Sequence, residues 1–138
     1  MPRTIIGLGL AVVFSMAGCT KSIDTVKVTG TVTYKGKPLD NAEVMFWPEK
    51  GRPASGVTDA SGKFALSTLT AGDGALVGKH TVTISEYYAP GKAPPMPGMG
   101  STLPSRFPSK YSEPTQTPFT NVVVEAKGKN DFPFDIKD

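Results

Sequence analysis

The sequence predicts an all-β protein: an antiparallel β-sandwich of about seven strands, of Ig-like or prealbumin-like type, with a long proline-rich loop. Short segments alternate apolar and polar residues with a period of two, which is typical of strands with one buried face. Residues that favour turns separate these segments. Beyond residues 1–18, no segment shows a helical period.

The first two strands are marked by alternation and separated by a turn. Val28 and Val32 share the inward parity of the first strand, and Gly30 on that parity indicates a bulge or a close backbone approach. A Lys-Gly-Lys-Pro turn at residues 35–38 leads into the second strand. That strand is predicted to end at Pro48, because proline has no N–H to donate to a ladder.

The third and fourth strands are predicted to form a hairpin, and the last two strands follow much later in the chain. Asp59 opens the hairpin turn and Gly62 closes it, since aspartate bonds its own backbone and glycine accepts positive φ. Pro133 has the outward parity of the last strand, which predicts a sheet edge. The seven predicted strands cover residues 26–34, 42–46, 56–58, 63–66, 81–85, 121–126 and 131–137.

The core is predicted from the inward parity of these strands. It should lie between two sheets and consist of aliphatic and aromatic side chains. The predicted core residues are Val28, Val32, Phe46, Phe64, Val82, Ile84, Phe132 and Phe134.

Cys19 is the only cysteine in the 138 residues, and it follows a short apolar segment. Arg3 provides a positive start, and the apolar residues 5–14 are too few to span a bilayer. The small residues Ala17 and Gly18 then mark a cleavage point. A cut at this point would leave Cys19 as the new N-terminus.

This arrangement resembles the lipobox of bacterial lipoproteins, in which that cysteine is diacylated with fatty acids such as palmitate. The resemblance implies a lipoprotein signal peptide at residues 1–18, a lipidated tether at 19–25 and an exported domain at 26–138. The protein is then expected in the cell envelope, lipid-anchored to a membrane on its periplasmic or outer side. The alternative is a signal peptide whose cysteine merely flanks the cleavage point.

The charge pattern limits the classes of partner. The 15 basic and 12 acidic residues give a net charge of +3, and they are scattered singly along the chain. A nucleic-acid partner is therefore not expected, because no basic stripe with interleaved aromatic residues occurs. One cysteine cannot form an internal disulfide, so the stability of the domain must come from packing.

Residues 86–119 form the long proline- and glycine-rich interval. Its composition favours extended or irregular backbone, and it is longer than most connections within a compact domain. Two interpretations are open. The interval is either a binding loop, or a solvated insertion that packs loosely over one edge of the sandwich.

Several runs resemble the carboxypeptidase regulatory-like domain, a transthyretin-like, prealbumin-type sandwich also present in small lipoproteins of Planctomycetes-type bacteria. The resemblance covers most of the exported domain and implies this fold without a catalytic activity. The residues that carry it are Val28-Thr29-Gly30-Thr31-Val32, Gly36-Lys37-Pro38-Leu39, Ala42-Glu43-Val44, Thr58-Asp59-Ala60-Ser61-Gly62-Lys63-Phe64, Gly78-Lys79-His80-Thr81-Val82-Thr83-Ile84 and Gly128-Lys129-Asn130.

The aromatic residues Trp47, Tyr87 and Tyr88 are the candidate ligand contacts, with Tyr111 as a further member. Aromatic rings provide a large contact area with a polar handle, so together they could form a platform for a sugar or a peptide. Trp47 has the outward parity at a strand end. The alternative is that these rings pack into the loops.

No metal or cofactor is expected. His80, Met96 and Met99 make a poor set of copper ligands. Asp59 and Asp73 lie in glycine-rich turns without further oxygen ligands at regular spacing, so turn capping explains them better than calcium.

The predicted function is that of a non-catalytic domain with a structural or protein-interaction role at the cell envelope, contacting an unidentified envelope protein or glycan. A carbohydrate-binding module is the first alternative. A transthyretin-like hydrolase is the second, and the residues disfavour it. Such hydrolases use several histidines and a terminal Tyr-Arg-Gly-Ser motif, whereas this chain has one histidine and ends at Asp135-Ile136-Lys137-Asp138.

Overall fold

A computed structural model describes residues 24–91 and 105–138 and confirms the all-β class. The proposed signal peptide and lipidation site, including Cys19, lie outside the described residues. So do Met96, Met99 and the middle of the proline-rich interval.

Each of the seven predicted strands has a counterpart in the structure. The first predicted strand corresponds to two observed strands, Thr25–Val26 and Thr29–Tyr34. Two further strands of two residues each, Lys37–Pro38 and Ala75–Leu76, were not predicted. A short 3₁₀ helix spans Ser109–Ser112. The strands are β1 (Thr25–Val26), β2 (Thr29–Tyr34), β3 (Lys37–Pro38), β4 (Ala42–Pro48), β5 (Ala54–Val57), β6 (Lys63–Ala65), β7 (Ala75–Leu76), β8 (Gly78–Glu86), β9 (Val122–Val124) and β10 (Asp131–Ile136).

Two four-stranded sheets form the sandwich. In the first, the order is β5-β4-β8-β9 and all neighbours are antiparallel; we call it the β4–β8 sheet. In the second, β10, β2 and β3 follow one another and β6 also pairs with β2; we call it the β2 sheet. A small antiparallel pair, β1 with β7, lies beside them.

The last strand is parallel to its neighbour, whereas the sequence predicted an antiparallel arrangement. β10 pairs with β2 in parallel register, with Asp131 opposite Thr29. The turn at 125–130 explains the difference, because it leads the chain out of the β4–β8 sheet and into the β2 sheet. There the Asn130 carbonyl accepts the Thr29 N–H at 2.9 Å. Among the described strands β10 pairs with β2 alone, as the predicted edge position requires.

The predicted hairpin at residues 56–66 forms, and it links the two sheets. The turn itself forms as expected, because the Gly62 N–H donates to the Asp59 carbonyl at 2.9 Å and the Asp59 N–H donates to the Lys63 carbonyl at 2.9 Å. Beyond the turn the two arms meet again: the Ser55 N–H donates to the Ser67 carbonyl at 3.0 Å, and the Ser67 N–H donates to the Ser55 carbonyl at 2.9 Å. On their other edges β5 pairs with β4 and β6 pairs with β2.

A cluster of phenylalanine rings joins the two sheets. The Phe46 ring of β4 lies 6.5 Å from that of Phe64, 5.8 Å from that of Phe132 and 6.0 Å from that of Phe134, all in the β2 sheet. The predicted core is confirmed: seven of its eight residues are buried, and Phe132 is partly buried against them.

The described end of the proline-rich interval is a packed part of the domain. Phe107 and Tyr111 are buried in residues 105–119, and the Phe119 ring lies 4.8 Å from that of Phe134. The expectation of a loosely packed insertion is therefore wrong for residues 105–119. Apolar side chains spaced along an irregular backbone reach the core even though the composition disfavours regular structure.

This segment also pairs with the open edge of β8. Beyond the short ladder to β9, the Val82 N–H donates to the Phe119 carbonyl at 2.8 Å, and the Thr117 hydroxyl donates to the Val82 carbonyl at 2.8 Å. Residues 117–119 thus satisfy backbone groups that an edge strand would leave exposed.

Candidate functional site

Trp47 lies at the end of β4 on the outer face of the β4–β8 sheet, with 37% of its surface exposed. Its indole N–H donates to the Thr83 hydroxyl on the neighbouring strand at 2.9 Å. This bond holds the ring in one orientation, so little side-chain entropy is lost when a ligand packs against it. The outward position predicted for Trp47 is confirmed.

An open cleft of about 250 Å³ lies beside this ring. Pocket volumes of about 300–1,000 Å³ are usual for drug-sized ligands, so this cleft suits contact with one side chain or one sugar ring. The walls carry a carboxylate, an ammonium, hydroxyl groups and an amide around the indole. The residues that line the cleft with Trp47 are Pro48, Glu49, Lys79, His80, Thr81, Pro114, Thr120 and Asn121.

Two contacts with β8 fix the far wall of the cleft. The Phe119 carbonyl is bound to the Val82 N–H, and Val122 at the start of β9 pairs with His80. Between them Asn121 adopts a left-handed conformation with φ of 58°, which asparagine tolerates better than most residues. The polar side of the cleft is therefore held by backbone pairing on both sides of residues 120 and 121.

His80 lies beneath this cleft and is 2% exposed. Its Nε2 is 2.7 Å from the Leu76 carbonyl, and since a carbonyl only accepts, Nε2 carries the hydrogen. Nδ1 has no hydrogen-bond partner among the described residues. The ring packs 5.6 Å from that of Phe46. The His80 side chain therefore belongs to the core side of β8, although the residue lies in the lining of the cleft.

The tyrosines do not join Trp47 in one platform. Trp47 pairs with Thr81, whereas Tyr87 follows the other end of β8 and donates its N–H to the Asn41 carbonyl at 2.9 Å. Five residues of β4 separate these ends, about 17 Å at roughly 3.4 Å per residue. Tyr87 and Tyr88 line a separate cleft of about 290 Å³.

Tyr111 is a core residue. It is buried, its hydroxyl donates to the Lys137 carbonyl at 2.9 Å, and the same oxygen accepts the Lys137 N–H at 2.9 Å. The interpretation of Tyr111 as loop packing is therefore the right one.

An arginine clamp, which the sequence analysis missed, lies near Tyr87. The Arg106 Nη2 donates to Glu86 at 2.8 Å, and Nη1 donates to the Asp40 carboxylate at 2.9 Å. The hydrogen bonds that Arg106 donates to Glu86 and to Asp40 raise its pKa above the ordinary value, against the lowering effect of burial. The clamp ties residue 106 to the ends of β4 and β8, a structural role.

The two aspartates considered for calcium cap turns. The Asp73 carboxylate accepts the N–H groups of Thr68, Leu69 and Thr70 at 2.6, 2.9 and 3.0 Å. Asp59 accepts the N–H groups of Ser61 and Lys63 at 2.9 and 3.0 Å. In residues 24–91 and 105–138, no group of three or more His, Cys, Asp or Glu side chains is placed to hold a metal ion.

A second cleft, of about 510 Å³, escaped the sequence analysis. Lys27, Lys63 and Lys129 line it, although they are far apart in the chain. Their convergence follows from the pairing of β2 with β6 and with β10, which local patterns do not show.

The described parts of the chain contain no helix with the length and hydropathy needed to cross a membrane. Comparisons of the sequence and structure with protein-family models, with curated proteins and with solved structures returned no match.

Proposed function

We propose that this chain is a lipid-anchored, extracytoplasmic, non-catalytic β-sandwich that binds an envelope protein through the Trp47 cleft. The observation that carries the binding role is the exposed indole fixed by Thr83 beside a small polar cleft. The apolar run that ends in Ala17-Gly18-Cys19 supports the anchor.

Lipidation is tested by Cys19→Ala in the full chain. A single acyl chain binds membranes only marginally, whereas two or more anchor stably, so loss of the modified cysteine should release the protein or block its processing. Palmitate labelling and membrane fractionation measure the effect. Met16→Leu is the control, because it leaves Cys19 in place. A correctly cleaved Cys19→Ala protein that stays in the membrane fraction would contradict the anchor.

The protein contact is tested by cross-linking in intact cells. Trp47→Ala should remove the cross-linked partner, because aromatic anchors supply much of the binding energy at interfaces. Tyr87→Ala is the matched control: its side chain is equally exposed, at 37%, but it lies in the other cleft. If both variants retain the same partner, the Trp47 cleft is not the contact.

Carbohydrate binding is the second candidate, and it is favoured by the carboxylate and amide that flank the indole. A sugar ring stacks on an aromatic face while its hydroxyls bond to such groups. Trp47 is the only tryptophan in the chain, so its fluorescence reports the cleft directly. Titration with a panel of soluble polysaccharides should change that emission if the ligand is a glycan and leave it unchanged if the partner is a protein.

His80 supports a binding role over a hydrolytic one. It is the one histidine of the chain, and its Nε2 is engaged by a backbone carbonyl in the core. A general base has to reach the proton that it removes, and this imidazole is enclosed.

A further inference from the structure

The lysine cleft lies where the described chain begins. Lys27 stands between β1 and β2, Lys63 starts β6, and Lys129 lies in the turn before β10. All three side chains are exposed and line the same concavity. The other residues that line it are Thr29, Gly30, Thr31, Phe64, Asn130 and Asp131.

The charges of this cleft are unbalanced. Asp131 is its one carboxylate, and one of its oxygens accepts the Thr29 hydroxyl at 3.2 Å. The ion pairs found among the described residues involve Lys35, Arg106 and Lys137, not the three lysines of the cleft. Three ammonium groups against one carboxylate leave a net charge of +2 (3 − 1).

The cleft is also near the proposed anchor. Cys19 precedes Lys27 by eight residues, and eight extended residues span at most about 28 Å. A lipidated Cys19 therefore keeps Lys27 within about 28 Å of the bilayer surface. The exposed lysines Lys37 and Lys79 lie at the far end of β2 and in the Trp47 cleft.

We propose that the lysine cleft binds the phosphates of anionic lipid headgroups and holds the domain against the membrane to which it is anchored. The proposal rests on the lipid anchor of the proposed function. Each lysine at an anionic membrane surface contributes about fivefold in affinity, and the effect decays within a Debye length, about 8 Å at physiological salt. A protein already anchored needs no more than this to fix its orientation.

The proposed orientation leaves the binding surface free. Lys63 and its partner Thr31 have the outward parity of the β2 sheet. Trp47 has the outward parity of the β4–β8 sheet, on the opposite side of the sandwich. With the lysine cleft on the membrane, Trp47 faces away from it toward a partner.

The test is a lysine acetylation footprint of the full, lipidated chain in vesicles of phosphatidylcholine, with or without phosphatidylglycerol. Lys27, Lys63 and Lys129 should be acetylated about fivefold or more slowly on the anionic vesicles. High salt should remove this protection, and Lys37 and Lys79 should react equally on both. Equal rates for the cleft lysines on both vesicles would overturn the proposal.

A charge-matched pair of variants separates the cleft from net charge. If the cleft rests on the membrane, anionic vesicles should slow amide hydrogen exchange at residues 27–31 of the wild-type chain. K27Q/K63Q/K129Q should abolish this slowing, and K37Q/K50Q/K79Q should preserve it. Both variants remove three exposed positive charges. If both lose the effect equally, general attraction and not the cleft holds the domain.

Two further measurements distinguish a failure of the lipid anchor from a failure of the lysine cleft. The intact mass shows whether Cys19 carries its acyl chains; an unmodified cysteine overturns the anchor and this proposal together. A modified cysteine with unprotected lysines overturns the cleft alone. Inorganic phosphate is added to phosphatidylcholine vesicles as a separate probe, and protection by phosphate without anionic lipid would assign the cleft to a soluble anion.

Discussion

At the residue scale, Gly30 lies where β2 has no room for a side chain. The glycine on an inward parity predicted a bulge or a close backbone approach. The structure shows the close approach, because a Cβ placed there would overlap the Phe132 carbonyl oxygen and the Phe64 ring. The backbone at Phe132 is held by the β10–β2 ladder and cannot yield easily.

Gly30→Ala should therefore lower the free energy of unfolding by about 1–3 kcal/mol, the usual cost of overpacking. Denaturant unfolding measures the change. Gly128→Ala is the matched control, because its Cβ would meet only the flexible Glu125 side chain, at 3.0 Å. The control should stay within about 0.5 kcal/mol of wild type. Equal midpoints for the two variants would contradict the close packing at Gly30.

Asp73 links the stability of its turn to pH. Hydrogen bonds from the N–H groups of Thr68, Thr70 and Leu69 lower the pKa of its carboxyl below the ordinary value of 3.8. The unfolded chain therefore binds more protons in the acid range, and stability rises with pH there. The contribution of Asp73 is complete above the unfolded pKa and is lost as the pH falls through the folded pKa.

Asp73→Asn should consequently lower the Tm most at neutral pH. The difference from wild type should shrink as the pH falls through and below 3.8. Thermal unfolding across this range measures it, with the exposed Asp24→Asn as a control for loss of surface charge. A difference in Tm that is constant across the range would show that the carboxylate charge does not matter.

At the scale of elements, the strands were predictable and their partners were not. Alternation is local, so β2, β4, β8 and β10 appear in the sequence with their inward faces assigned. The parallel β10–β2 pair, and the further pairing of β5 with β4 and of β6 with β2, depend on which sheet accepts each strand. That choice is decided by contacts between distant residues, which a local pattern does not contain.

Residues 105–119 also show that local sequence does not reveal tertiary contacts. Their prolines indicate irregular backbone correctly, but irregular backbone can still be packed. Phe107 and Tyr111 reach the core, and Arg106 fastens the start of the segment to Glu86 and Asp40. The apolar residues of a proline-rich interval indicate whether it packs on the core, and they are a better guide to packing than its overall composition.

Tyr111→Phe tests this packing without opening a cavity. The change leaves the Lys137 N–H and carbonyl without the hydroxyl that serves both, so it should cost about 1–3 kcal/mol in stability. Tyr34→Phe is the control, since its hydroxyl bonds to the exposed Asp138 carboxylate at 2.7 Å. The control should cost less than about 1 kcal/mol. Equal losses in chemical denaturation would mean that the 105–119 segment does not hold the end of β10.

At the scale of the whole molecule, the parts of a candidate site that depend on one strand were predictable, and the parts that several distant segments form were not. The outward parity of Trp47 was legible in the sequence because it depends on one strand. The cleft beside it was not, because Pro114, Thr120 and Asn121 arrive from a segment that is distant in the chain. The three lysines of the second cleft come from three separated segments. In the sequence nothing distinguishes them from the other singly scattered basic residues.

The two sheets share one core, so they should unfold together. Phe46 contacts three phenylalanines of the opposite sheet, and Phe46→Ala should cost about 3–5 kcal/mol. Because a small single domain opens cooperatively, the loss should appear equally in both sheets.

Amide hydrogen exchange can measure that equality. The Val32 N–H of β2 is bound to Gly62 and the Val82 N–H of β8 to Phe119, each at 2.8 Å, so each reports the opening of its own sheet. Both should exchange faster by the same factor in Phe46→Ala. Met45→Ala, a change to the neighbouring residue on the opposite parity of β4, should alter both rates far less. Faster exchange at Val82 with an unchanged rate at Val32 would mean that the β2 sheet is stable without the rings that join it to the β4–β8 sheet.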